Sequence, residues 1–247
     1  MGQEQVQQPA TSCPPREKRR VIEDVKPQIE AFWQYCQAGQ WQEAYDLVRQ
    51  EGVFADLKNW GSNAILLELC QLLLPLDNWQ PEPWQESDIY YYLGRAYEVL
   101  GQKKQAIGYY ERALEIDKKG KNRQGEGATL NNLGGVYNAL GKRQEALSYF
   151  EQALAIRREV GDRGGEGTTL WNIGALYFEQ GHYDVALAFL LLARGIFEEV
   201  QSPHRDGVQS WIDGLHKEVG EEQFTTLLAQ VEPQALQIVE RALREGL

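Results

Sequence analysis

The sequence predicts an all-α fold, a solenoid made by stacking antiparallel helix pairs. Three observations carry this reading: a 40-residue internal period, apolar residues at helical spacing within each period, and glycines at fixed places in it. Leu93, Leu133 and Ile173 align, followed by Gly94, Gly134 and Gly174, then Tyr97, Tyr137 and Tyr177. Gly101, Gly141 and Gly181 continue the register, and Ala106, Ala146, Ala186 and Ala113, Ala153, Ala193 complete it. A supersecondary unit repeated at such a period cannot bury its apolar side alone and does so by stacking on its neighbours.

Each unit reads as two helices. In 128–140, Leu130, Leu133, Tyr137 and Leu140 recur at three- and four-residue steps, which is one face of a helix. Gly141 stops it, because glycine enters the left-handed conformation past a helix end at least cost. The second helix, QEALSYFEQALAIRREV, carries Ala146, Tyr149, Phe150, Ala153, Leu154 and Ile156, and Gly161 ends it. Gly134 lies inside the first helix, where glycine costs about 1 kcal/mol relative to alanine. Its recurrence predicts a compensating close approach, with Gly134 set opposite the small Ala146. Glu126 and Glu166 fall just before the expected helix starts, where a carboxylate meets the positive end of the helix dipole.

These residues resemble the tetratricopeptide repeat. The pattern is Tyr90-x2-Leu93-Gly94-x2-Tyr97 with Ala106, Tyr110 and Ala113. It recurs as Leu130, Leu133, Gly134, Tyr137, Ala146, Phe150 and Ala153, and as Leu170, Ile173, Gly174, Tyr177, Ala186, Leu190 and Ala193. The proline usual late in the second helix is replaced by Lys118, Arg158 and Glu198, and the repeat is longer than the common form. In both respects it is similar to the long-repeat subclass of kinesin light chains and bacterial arrays. The resemblance implies a right-handed superhelical solenoid, and it speaks to fold far more than to function.

The expected organisation is a disordered tail over 1–20, a helical region over 21–86, three repeats over 87–126, 127–166 and 167–206, and a degenerate repeat with a capping helix over 207–247. The tail's basic end, REKRR, reads as a solvated charge run. Upstream of the repeats, VIEDVKPQIEAFWQYCQAG and WQEAYDLVRQEG predict a helix pair with Gly39 and Ala44 in repeat-like register. NWGSNAILLELCQLLLP predicts a strongly apolar helix, either core or a homo-oligomer interface. LDNWQPEPWQ predicts a loop pinned by Trp79 and Trp84. This part resembles the region joining the nucleotide-binding core to the sensor repeats of bacterial signal-transducing (STAND-type) NTPases, although nothing in the chain matches GxxxxGK[ST]. At the other end, GVQSWIDGLHKEVG keeps only the glycines of the register, EEQFTTLLAQV is its partner, and QALQIVERALREGL after Pro233 closes the stack.

Composition narrows the function. The formal charge is −11, with 36 acidic against 25 basic residues, which argues against binding nucleic acid or an anionic membrane through phosphate contacts. No apolar run approaches a bilayer span, and the N-terminus has no secretory apolar core. Cys13, Cys36 and Cys70 are odd in number and lack CxxC spacing, so neither a disulfide framework nor a zinc site is expected, and a cytoplasmic setting fits. His182, His204 and His216 share no ligand spacing. No GxSxG, HExxH or phosphate loop is present, so no catalytic residue, cofactor or metal is expected and the chain does not read as an enzyme.

The expected site is a groove. In curved stacks the first helix of each pair lines the concave side, which selects Tyr91, Arg95, Asn131, Asn132, Asn138, Trp171, Asn172, Phe178 and Trp211. A carboxamide offers donor and acceptor together and can clamp a main-chain amide. The resemblance implies this use for Asn132 and Asn172. Tyr91, Trp171 and Trp211 suit apolar anchoring, and Arg95 suits a carboxylate. A second reading stands beside this one: Trp171, Phe178 and Trp211 pack against the next repeat, and Asn132 and Asn172 bond across repeats. The leading functional expectation is a scaffold that captures a peptide or helix of a partner protein. The alternatives are a regulatory or sensor module of a signalling NTPase system and an assembly or chaperone-type helper.

Overall fold

The computed structural model describes residues 19–50, 52–74 and 79–245. Among them are thirteen α-helices, two 3₁₀ turns and no strand. The expected tail falls almost wholly outside the described residues, as does Cys13. The chain divides into two compact units, one ending at Gly120 and the other starting at Lys121.

In the first unit, α1 (Lys26–Gln37) and α2 (Trp41–Gln50) form the expected pair. α3 (Val53–Asn59) has no counterpart in the sequence reading, since seven residues are too few to show a helical period. Its Val53, Phe54 and Leu57 are buried. α4 (Asn63–Leu72) packs on α3 and on α5 (Pro83–Val99), with Leu66, Leu69 and Cys70 fully buried. The apolar helix thus spends its apolar face on the core of its own unit. α5 begins at Pro83, a residue suited to a first turn because it has no N–H to leave unpaired. Trp84 therefore sits in a helix rather than a loop. Residues 75–78 of the expected loop lie outside the described residues; Trp79 itself is anchored, its Nε1–H donating to the Leu73 carbonyl at 3.1 Å and its ring 5.8 Å from that of Tyr45. α6 (Lys103–Gly120) pairs with α5. One expectation fails here. Arg19, within the basic run, is buried and pairs with Asp56 at 3.3 Å instead of pointing into solvent. A buried charge needs such a partner to offset its lost hydration.

The second unit continues with α7 (Arg123–Ala139) paired to α8 (Arg143–Val160), then α9 (Arg163–Glu179) paired to α10 (Tyr183–Glu199). α7 and α9 start earlier than the apolar period shows. Their N-caps are Asn122 and Asp162, whose side chains accept from the Gly125 and Gly165 amides at 3.2 and 2.8 Å. The glycine-rich segments GEG hide this first turn, because they supply no apolar period and low propensity. Glu126 and Glu166 consequently lie inside the first turns, buried and paired to Arg123 and Arg163 three residues before them. Gly161 ends α8 in the left-handed conformation at φ +71°.

The role expected of Gly134 also needs correcting. A Cβ there would stand 2.6 Å from the Phe150 ring, and the nearest atoms belong to Phe150, not Ala146. The equivalent glycines face Tyr110 at 2.6 Å and Leu190 at 3.0 Å. The recurring glycine makes room for a large side chain one turn beyond the alanine.

α11 (His204–Val219) is followed by α12 (Glu221–Val231) and, after a 3₁₀ turn at Glu232–Gln234, by α13 (Ala235–Glu245). α12 packs on α11 and α10, while α13 folds back onto α10.

Candidate protein-binding face

The first helices of the second unit are neighbours: α9 packs on α7 on one side and on α11 on the other. Their residues not consumed by the second helices form a continuous face. Asn131 is buried within it. Its Oδ1 accepts from Thr169 Oγ1 at 3.1 Å and from Asn172 Nδ2 at 3.0 Å, both on α9. Trp171, the equivalent residue one repeat on, also reaches across to the next helix. A Cβ on Gly207 would stand 2.7 Å from its Cη2, and its ring contacts Phe197 and His204 at 6.4 and 6.2 Å. Asn131 and Trp171 thus hold one repeat to the next. The Trp171 contact had a sequence signal, because Gly207 aligns with Gly127 and Gly167.

The remaining expected residues of this unit are less consumed. Asn132 is half-buried, and its Nδ2, itself buried, has no hydrogen-bond partner among the described residues; the same holds for Oδ1 of Asn138. Asn138 Nδ2 donates to Glu179 Oε2 on α9 at 3.2 Å. Phe178 and Trp211 are half-buried, edge to face at 5.6 Å, with Tyr183 a further 5.7 Å from Phe178. The edge-to-face geometry sets the positive rim of one ring on the negative face of the other. Tyr183, absent from the sequence reading because it begins a second helix, enlarges this aromatic ledge.

In the first unit, Tyr91 and Arg95 both lie on α5. Tyr91 rests against Tyr92 and Tyr110, at 5.3 and 6.1 Å. Arg95 pairs with Glu98 at 3.3 Å, and the same carboxylate accepts from Tyr110 Oη at 2.6 Å. Its guanidinium is therefore already matched by a carboxylate of its own helix.

What the two units share is a run of antiparallel helix pairs with small residues at the crossings. Sequence models of the tetratricopeptide repeat match residues 87–119 and 125–199. Those residues are tetratricopeptide repeats, and the fold is of the all-α solenoid class. Two solved structures share the fold. BtubC (BKLC) from P. vanneervenii is 19% identical, with 92% of this chain and 94% of that one covered and a TM-score of 0.59. The apo form of RapI is 14% identical, with 90% and 67% covered and a TM-score of 0.60. No curated protein matches the chain in sequence. No helix among the described residues is long and apolar enough to cross a membrane.

Proposed function

We propose that this protein is an interaction scaffold that captures a segment of a partner protein on the first-helix face of α7, α9 and α11. The carrying observation is that packing leaves recognition groups part-exposed on that face. These are the half-buried carboxamides of Asn132 and Asn138 and the half-buried rings of Phe178 and Trp211. A carboxamide offers both donor and acceptor to a bound main chain, and aromatic anchors dominate interface energies.

The test is affinity capture from the source cell followed by mass spectrometry, with the wild-type chain and an Asn132→Ala/Phe178→Ala/Trp211→Ala variant. The variant should lose the partner at least tenfold while retaining its helical circular dichroism. Asn172→Ala should instead lower the melting temperature, since Asn172 braces Asn131 across the repeats. Retention of the partner by the triple variant would place the binding surface elsewhere. Recovery of an NTPase effector as the partner would make the chain the sensor arm of that system.

A further inference from the structure

On α7 and α9 the face of the second unit is uncharged. Residues 127–138 of α7 and 167–178 of α9 contain no Asp, Glu, Lys or Arg, in a chain that is 25% charged. The cations that bound these stretches are occupied. Arg123 is held by Glu126 at 2.5 Å and by Glu159, and Arg163 by Glu166 at 2.5 Å and Glu199 at 2.6 Å. The charges nearest the open part of the face are acidic. Glu179 is exposed at the end of α9 and already touches Asn138, and Glu218, exposed on α11, stands in the column of Asn138 and Phe178. Lys217 stands in the column of Tyr137 and Tyr177, whose rings stack on Tyr149 and Phe189 of the second helices, so its place is on that side.

This arrangement selects among ligands. An acidic segment would surrender its hydration to stretches of α7 and α9 that carry no cation, on a chain of net charge −11. An uncharged segment gives up only main-chain hydration, which the carboxamides of Asn132 and Asn138 can replace. A lysine or arginine at its end meets Glu179. Adjacent helix axes lie about 9 Å apart, so three first helices span about 18 Å, the reach of about six extended residues.

We infer that the face takes a partner segment uncharged over about six residues and flanked by a basic residue over Glu179, and that it rejects acidic segments. This rests on the capture reading above and assigns the chemistry of its ligand. The test is selection of a random twelve-residue peptide library on phage against the full chain, repeated with Phe178→Ala/Trp211→Ala and with Glu179→Lys. Circular dichroism confirms that each variant is folded. The wild-type pool should be depleted several-fold in Asp and Glu, carry an uncharged run, and show a flanking enrichment of Lys or Arg. Glu179→Lys should abolish that flanking enrichment, and Phe178→Ala/Trp211→Ala should abolish binding. A pool rich in Asp and Glu that still depends on Phe178 and Trp211 would overturn the ligand chemistry and leave the capture site standing. Binders indifferent to Phe178→Ala/Trp211→Ala, or no binders at all, would overturn both.

Discussion

At the scale of single residues, the fold depends on contacts between one missing side chain and one large one. Gly134 accommodates Phe150, and a methyl group on it would lie 2.6 Å from two carbons of a ring that is only 2% exposed. Rings in close-packed interiors cannot yield by that much without displacing their own neighbours. Gly134→Ala should therefore lower stability by about 1–3 kcal/mol, as overpacking does. Phe150→Leu should recover part of that loss when combined with it, because the third repeat already pairs a glycine with Leu190 and leaves 3.0 Å. Chemical denaturation of both single variants and the double would give the coupling. Strictly additive losses would show that the ring and the glycine do not share the space. The glycine column itself is plain in the sequence. Its partner was not, because Ala146 and Phe150 lie one turn apart on the same helix face and spacing alone cannot choose between them. The face residues divide the same way. Asn131 and Trp171 stand in one column, yet the sequence offered packing on the next repeat for Trp171 alone.

At the scale of helices, the pairs α7/α8 and α9/α10 are each latched at one end by charge. Arg123 on α7 binds Glu159 at the end of α8, and Arg163 on α9 binds Glu199 at the end of α10 at 2.6 Å. The latch recurs at the period of the repeat. The arginines hold both Glu159 and Glu199 below the usual carboxylate range, chiefly through their hydrogen bonds. A carboxyl whose folded pKa is depressed adds stability above its unfolded value, about 4.3, and that contribution disappears as pH falls through the lower folded value. Melting temperatures measured from pH 7 down to pH 3 should thus fall further for the wild type than for Glu159→Gln/Glu199→Gln. The two curves should meet at the acid end. The gap at pH 7 should be small, since these carboxylates are exposed and water screens the pairs. Parallel curves across the whole range would mean that the latches do not contribute. Arg123 and Arg163 are easy to find in the sequence, but their helix was not, because the glycines around Glu126 and Glu166 disguise its first turn.

At the scale of the whole chain, a repeat array has to stop, and the means of stopping is written in broken columns. Along the second helices, Glu111 and Glu151 give way to Leu191, Arg112 and Gln152 to Leu192, and Gly108 and Ser148 to Ala188. The outer side of α10 has become apolar, and α13 folds back to cover it with Ala235, Ile238, Val239 and Ala242, all buried. The amphipathic closing helix was legible as a helix. Its docking place was legible too, in the exchange of Glu for Leu, but only when the repeats are compared for what they change rather than for what they keep. Capping of this kind is required because an apolar end face left open invites association. Ending the chain after Gln234 would strip α10 of this cover. Ile238 and Val239 alone account for about 2 kcal/mol each at full burial, so the loss should exceed roughly 4 kcal/mol and lower the melting temperature by roughly 10 °C or more. Leu191→Glu/Leu192→Gln, which restores the residues of the second repeat, should loosen α13 without removing it and give a smaller drop. Light scattering should show the truncated chain associating where the full chain does not. If it stays dispersed and melts with the full-length protein, α13 is an ornament on a core that α10 closes by itself.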